Sequence, residues 1–260
     1  MKTRISEKFE ALKARNRKAL IPFFMPGAQG EQSIAETILG LEAAGADLIE
    51  LGVPFSDPMA DGPVIQRSAE AALKKGVMTD TVFAAVKEAR EKTDIPLLLL
   101  VYYNSVFKYG PERFARDCVA AGIDGLIIPD LPFEEQGELT QVTRDLPLDV
   151  ITLVARTSKN RLKTVLEKAE GFIYCVSTTG VTGERAKVYS GLKGFLEEIK
   201  AHTDVPRCVG FGISDAAQAA EVAAYGEGVI VGSALVRRFL DESAEAGYAL
   251  IREMRAAIGE

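Results

Sequence analysis

The chain has 260 residues, 47% of them hydrophobic, which is enough for one large globular core. Its net charge is −6 and its pI about 5.2, so it lacks the basic surface with which proteins bind nucleic acids or anionic membranes. Because His202 is the only histidine, a multi-histidine metal site is excluded and a serine–histidine–aspartate triad is disfavoured. Acid–base chemistry therefore falls to carboxylates.

Cysteine usage and the lengths of the apolar runs indicate the compartment. Cys118, Cys175 and Cys208 show no CxxC spacing, which predicts buried free thiols in a reducing environment. Residues 1–18 lack the apolar core of a signal peptide. The longest apolar runs, such as 95–101, have only the length of a strand, so no membrane-spanning helix is predicted. We therefore expect a cytoplasmic protein.

From the N-terminus, apolar residues at helical spacing predict an amphipathic helix over 4–16, which we expect to cover the start of the fold. Strands and helices then alternate, with loops predicted over 102–110 and 177–190. The predicted strands are 20–25, 47–51, 97–101, 124–128, 150–154, 172–176, 208–211 and 229–231. The predicted helices are 31–45, 63–75, 79–92, one that begins at Pro111, 133–145, 158–169, 191–202, one capped by Ser214, and a final region that begins at Gly232-Ser233 and breaks near Asp241.

Eight strand–helix units predict a single (β/α)8 TIM-barrel domain over 1–260, with an N-terminal covering helix and extra helices after strands 2 and 8. A weak internal repeat supports this architecture, because 43–52 resembles 120–129 and, more faintly, 224–233. An open doubly wound sheet is the alternative. It is disfavoured because no GxGxxG follows the first strand.

The most informative stretch is ELGVPFSDPMADGP, from Glu50 to Pro63. The two-residue period of a strand places Glu50 at the last inward position of the second strand, and Asp61 returns to the same neighbourhood. An apolar strand end should raise the pKa of Glu50 towards neutrality, while a polar loop should leave Asp61 ionised. In the simplest alternative, Asp61 caps the next helix and Glu50 pairs with a cation.

Glycine motifs follow the last two predicted strands, where barrels commonly bind phosphate through backbone N–H groups. They are the segments 211–214 and Gly232-Ser233. Glycine suits these positions because a Cβ would keep the phosphate away from the backbone. The loop 177–190 is long for its position, which favours a mobile lid over a plain surface loop.

The stretch from Glu50 to Pro63 closely resembles the signature of the tryptophan synthase α-subunit family, and the resemblance extends over nearly the whole chain. It implies retro-aldol cleavage of indole-3-glycerol phosphate to indole and glyceraldehyde 3-phosphate, with indole passed to a β subunit in an α2β2 complex. It also implies no cofactor and no metal in this chain. The other blocks that match, in the family's order, are Tyr102 and Asn104, Pro129-Asp130, 172–174, 179–183, 209–214 and 231–234.

By the same resemblance, Glu50 is the general acid–base and Asp61 holds the indole nitrogen. Tyr174 lines the site beside Glu50, and Thr182 moves with the lid towards Asp61. The residues implied to bind substrate are Phe23, Tyr102, Tyr174, Thr182, Gly183, Phe211, Gly212, Gly232 and Ser233, and those implied to face the partner are Pro54, Asp57 and Asn104.

Two loops depart from the family pattern. Ala28-Gln29 stands where the family usually has Asp-Pro, and Ser105 stands where it has proline. Both loops lie near the family's β-subunit interface, so coupling to the partner could be altered, and a stand-alone lyase is one alternative. A non-catalytic phosphosugar-binding regulatory subunit is another, disfavoured because both Glu50 and Asp61 are present. Indole-glycerol-phosphate synthase shares the phosphate motifs, but it needs a barrel lysine, and none is evident here.

Overall fold

A computed structural model describes residues 2–176, 191–210 and 212–259, apart from the side chains of 158–160. Eight parallel strands form a closed barrel in sequence order, and β1 pairs with β8 to complete it. The (β/α)8 prediction is confirmed. The strands are β1 Ala19–Phe24, β2 Ile49–Gly52, β3 Leu97–Leu100, β4 Gly125–Ile127, β5 Asp149–Ala155, β6 Glu170–Val176, β7 Arg207–Gly210 and β8 Gly228–Val231.

Helices surround the barrel, and two of them follow each of β2 and β8, as predicted. The described α-helices are α1 Arg4–Ala14, α2 Ile34–Ala43, α3 Pro63–Lys74, α4 Thr79–Arg90, α5 Tyr103–Tyr109, α6 Pro111–Ala121, α7 Gly137–Thr143, α8 Leu162–Leu166, α9 Leu192–Lys200, α10 Ala216–Ala223, α11 Ser233–Asp241 and α12 Ala244–Ile258. Short 3-10 helices, Phe133–Glu135 and Arg156–Arg161, precede α7 and α8.

The strands are apolar on both faces because one face fills the barrel and the other packs against helices. Leu48 and Leu98 belong to the interior cluster, together with Tyr174 of β6. Their apolar neighbours in sequence belong instead to the outer cluster beneath the helices. Side chains alternate along β2, so Glu50 shares the interior face with Leu48.

Helix α1 covers the amino-terminal end of the barrel, as predicted. Its buried face, which includes Ile5 and Phe9, joins the interior cluster, and the ring centroid of Phe9 lies 5.8 Å from that of Phe172. Thr3 begins the helix with a capping box and also donates a 2.7 Å hydrogen bond to Asp149. With this end covered, the loops at the carboxyl ends of the strands are left to form a site.

Two local predictions were wrong. Residues 102–110 are not a plain loop, because α5 forms there, and the N–H of Tyr103 donates a 2.9 Å hydrogen bond to Asp130 in the loop after β4. Ser214 does not cap α10. Asp215 is the N-cap, and its side chain accepts the N–H of Gln218 at 2.9 Å, since the helix begins one residue later than predicted.

Two further observations concern the cysteines and the lengths of the helices. Cys118, Cys175 and Cys208 are free and buried. The longest described helix, α12, has 15 residues, and no helix in the described part of the chain has the length and apolar character needed to cross a bilayer.

Candidate active site

Glu50 lies inside the barrel near the carboxyl end of β2. It is in register with Phe23 of β1 and Leu98 of β3, and its exposed fraction is 0%. Neither carboxyl oxygen has a hydrogen-bond partner among the described residues, and no ion pair with Glu50 is found there, which disfavours the cation-pairing alternative. Burial raises the pKa of Glu50 to about 8. At neutral pH the side chain is therefore mainly a carboxylic acid that can donate a proton.

Asp61 stands in the loop between β2 and α3. It is not the N-cap of α3, because that position is held by Gly62 and no side chain there caps the helix. Burial raises the pKa of Asp61 to about 6, and a hydrogen bond from the Tyr102 hydroxyl opposes that rise. The polar loop thus shields Asp61 from solvent more than predicted. The side chain is still largely ionised at neutral pH, as predicted.

Tyr102 and Phe55 form the wall beside Asp61. Their rings stack with centroids 5.1 Å apart and planes 22° apart. The Tyr102 hydroxyl accepts a 3.0 Å hydrogen bond from the N–H of Ala60, the residue before Asp61. Tyr102 follows β3, so the end of this strand is tied to the loop that carries the acid.

Tyr174 is buried in the interior layer of β6, as its predicted place beside Glu50 requires. The negative charges of Glu50 and Asp61 contribute to raising its pKa, although burial is the main cause. Gly210, at the end of β7, makes room for the ring, because a Cβ there would lie 2.6 Å from ring atoms of Tyr174. Gly210 was not among the predicted site residues. A glycine that ends an apolar strand is the signal that could have found it.

The predicted phosphate-binding residues lie after β7 and β8. Gly212 has φ +84°, a left-handed conformation that favours glycine. Gly232 and Ser233 begin α11, a nine-residue helix whose first N–H groups and dipole favour an anion. A Cβ on Gly232 would lie 3.7 Å from the Phe23 ring, so Phe23 lies between this helix start and Glu50.

Three predicted residues, Thr182, Gly183 and Phe211, lie outside the described residues, as does the predicted lid over 177–190. Their roles stay predictions.

The residues predicted to face a partner lie in the loop after β2 and on α5. Asp57 and Asn104 are exposed, whereas Pro54 is buried. Near them two apolar side chains are unusually exposed, Met59 at 93% and Phe107 at 62%. This end of the barrel therefore combines exposed apolar and polar groups, as protein interfaces do.

The departure at Ala28-Gln29 has a structural explanation. Both side chains are buried. Gln29 accepts the N–H of Gly27 at 2.7 Å and donates to the carbonyl of Gln32 at 3.2 Å, so its amide holds the loop after β1 together. The two residues that differ from the family pattern, Ala28 and Gln29, therefore contribute to the internal structure of this loop.

The structure is a closed parallel barrel with two carboxyl groups beyond the middle of β2, one mainly protonated and one mainly ionised at neutral pH. This combination is typical of a TIM-barrel enzyme that uses acid–base catalysis. A sequence model of the family described as "Tryptophan synthase alpha chain" matches residues 9–258. The chain belongs to this family, and it is therefore a carbon–carbon lyase of tryptophan biosynthesis.

Individual relatives agree. The tryptophan synthase alpha chain of Alkaliphilus metalliredigens is 48% identical over 238 residues, which cover 92% of this chain and 90% of that protein. That of Geotalea daltonii is 46% identical over 256 residues, covering 98% and 97%. The crystal structure of tryptophan synthase subunit alpha from Legionella pneumophila has a TM-score of 0.90 at 35% identity and covers 99% of each chain. A chain of tryptophan synthase from M. tuberculosis, in its aminoacrylate-bound form, has a TM-score of 0.89 at 37% identity, covering 99% of this chain and 100% of that one.

Proposed function

We propose that Glu50 and Asp61 cleave indole-3-glycerol phosphate to indole and glyceraldehyde 3-phosphate. One observation carries this assignment. The two carboxyl groups lie near one strand end, and their pKa values, about 8 and about 6, fall on opposite sides of neutrality. The reaction needs one carboxyl group that can donate a proton and one that stays charged, and this pair supplies both.

The cleavage begins with proton transfer. The carboxylic acid of Glu50 protonates C3 of the indole ring, which becomes an indolenine-like cation. The Asp61 carboxylate accepts a hydrogen bond from the ring N–H and stabilises that positive charge. Because the described residues offer the Glu50 carboxyl group no hydrogen-bond partner, burial makes its carboxylate a stronger base than that of an exposed glutamate.

The bond then breaks as Glu50 recovers its proton. Its carboxylate removes the proton of the hydroxyl on C3′, the O–H electrons form the aldehyde carbonyl, and the C3–C3′ electrons return to the ring as neutral indole. Glu50 ends protonated, ready for the next cycle. No cofactor or metal in this chain takes part in the proposed steps.

Binding of the phosphate orients the substrate. We assign the phosphate to Gly212, Gly232 and Ser233, together with Gly183 and Phe211 by family resemblance. The start of α11 supports this assignment, because its N–H groups offer donors to an anion. Phe23, Tyr102 and Tyr174 line the path between the phosphate and the acids, and Thr182 approaches Asp61 from the lid.

We further propose that the chain works in the cytoplasm in an α2β2 complex, with a tryptophan synthase β subunit docked at Pro54, Asp57 and Asn104. The exposed Met59 and Phe107 support a protein partner at this end of the barrel. The three buried free thiols agree with a reducing compartment.

The test is indole release from indole-3-glycerol phosphate by the purified chain, alone and with a tryptophan synthase β subunit. We expect slow release alone, strong stimulation by the partner, and loss in Glu50→Gln and Asp61→Asn. Asp57→Asn is the matched control, an exposed acid of the same loop, and should keep the activity of the isolated chain while weakening stimulation. Fast release without stimulation would indicate a stand-alone lyase. No release under either condition would refute the catalytic assignment in favour of a regulatory subunit.

A further inference from the structure

Tyr102 makes two contacts with the loop that carries Asp61. Its hydroxyl accepts the N–H of Ala60, the residue before Asp61, at 3.0 Å, and it lowers the pKa of the Asp61 carboxyl group against the effect of burial. Its ring stacks on Phe55 at the other end of the same loop. One buried side chain, with an exposed fraction of 3%, thus holds both ends of the loop.

The backbone beside Tyr102 is itself fixed. Tyr102 lies two residues after the end of β3, and the next N–H, that of Tyr103, donates to both carboxyl oxygens of Asp130 at 2.9 and 3.2 Å. The hydroxyl of Tyr102 is therefore presented from a rigid strand end joined to β4. A donor fixed in this way can set the position of a carboxylate on a neighbouring loop.

The surroundings of Asp61 otherwise oppose its ionisation. Burial raises its pKa, and the charged groups that act on its partner Tyr102 are Asp61 itself and Asp130, both acidic. Those that act on the neighbouring Tyr174 include Glu50 and Asp61, which are acidic as well. The described residues form no ion pair with Asp61. A hydrogen bond to the charged form is the remaining means of keeping a partly buried carboxyl group ionised.

We propose that Tyr102 is a positioning residue for Asp61, whose hydroxyl fixes the aspartate against the substrate ring and favours its carboxylate form. Family resemblance places Tyr102 only in the lining of the substrate pocket. The geometry adds a second role for its hydroxyl, that of positioning Asp61, and this role rests on the proposed function of Asp61.

Two variants separate the hydroxyl from the ring. Tyr102→Phe removes the hydroxyl, with its hydrogen bond from Ala60 and its effect on Asp61, and keeps a ring that can stack on Phe55. Phe55→Leu removes the stacking partner and keeps the hydroxyl. Phenylalanine fills nearly the same space as tyrosine, so the barrel should remain folded, and thermal unfolding of each variant checks this.

The first measurement is the pH dependence of indole release with the β subunit present. Tyr102→Phe should move the acid limb of kcat/KM upward by about one to two pH units, the strength of a hydrogen bond to a charged group. KM should change little. Phe55→Leu should leave the limb in place. A residue that only lines the pocket would instead raise KM equally at all pH values.

The second measurement does not need activity. The isolated chain is labelled with 13C at the aspartate carboxyl carbons, and the Asp61 signal is identified by its loss in Asp61→Asn. Its titration midpoint should move upward by the same amount in Tyr102→Phe and stay unchanged in Phe55→Leu. Equal midpoints in Tyr102→Phe and the unaltered chain would overturn the inference. Absence of indole release would refute the proposed function alone, because the titration would still report on Tyr102.

Discussion

Glu50→Gln should stabilise the protein at alkaline pH while it abolishes cleavage. In the unfolded chain a glutamate loses its proton near 4.5, whereas in the folded barrel Glu50 does so near 8. Between these two pH values the folded state binds more protons than the unfolded state. The stabilisation due to Glu50 is therefore fully present below the pKa of the unfolded state, about 4.5, and is lost as the pH rises through the pKa of the folded state, about 8. Glutamine has no proton to lose, and its variant lacks this decline.

The size of the effect follows from the two pKa values. At about 1.36 kcal/mol per pH unit, the full interval corresponds to an upper limit of about 5 kcal/mol. Over the practical range from about pH 5.5 to about pH 8.5, the free energy of unfolding of Glu50→Gln should rise by about 3 kcal/mol relative to the unaltered chain.

Urea titrations followed by far-UV circular dichroism measure this difference, because the chain has no tryptophan to report by fluorescence. Glu88→Gln, on the exposed face of α4, is the control for loss of a titrating glutamate outside the barrel. If the difference between Glu50→Gln and the unaltered chain stays constant across the pH range, Glu50 is not held protonated by burial. The reasoning that makes it the proton donor would then fail.

Three further substitutions test the stability of the barrel and the position of the Tyr174 ring in the candidate site. Asp149→Asn should raise the free energy of unfolding at neutral pH by about 1–3 kcal/mol, because burial raises the pKa of Asp149 to about 6 and makes its charged form costly. In acid, where Asp149 is protonated, the gain should be much smaller. Urea titrations at both pH values measure the difference. Asp47→Ala should lower the free energy of unfolding by about 3–5 kcal/mol in the same titration, because it removes the 2.7 Å hydrogen bond that Asp47 accepts from the buried guanidinium of Arg255. A loss below about 1 kcal/mol would contradict this. Gly210→Ala should lower kcat for indole release at least tenfold by displacing the Tyr174 ring, and an unchanged kcat would show that the ring position is unimportant.

Much of the barrel was predictable because strand patterns are local. β3, Leu97–Leu100, is four leucines, and its buried pattern can be read without knowledge of its neighbours. Helix α5 was missed because its start depends on Asp130, which lies 27 residues later in sequence and reaches Tyr103 only when β4 pairs with β3. A pattern within one segment cannot predict a cap that another segment provides.

The same distinction applies to the site. The inward position of Glu50 and the upward direction of its pKa followed from side-chain alternation along an apolar strand. The surroundings of Asp61 did not, because its partner Tyr102 comes from the next strand of the barrel. Gly210 is likewise explained only by the Tyr174 ring, which reaches it from β6.

Burial raises the pKa of both carboxyl groups of the proposed catalytic pair, and Glu50 is the more deeply buried of the two. Its pKa rises to about 8 and that of Asp61 to about 6. Glu50 has no hydrogen-bond partner among the described residues, whereas Asp61 has the Tyr102 hydroxyl. An aspartate also starts from a lower pKa than a glutamate, 3.8 against 4.5. The proposed division between proton donor and charged partner thus depends on the residue type, the depth of burial and the Tyr102 hydroxyl together.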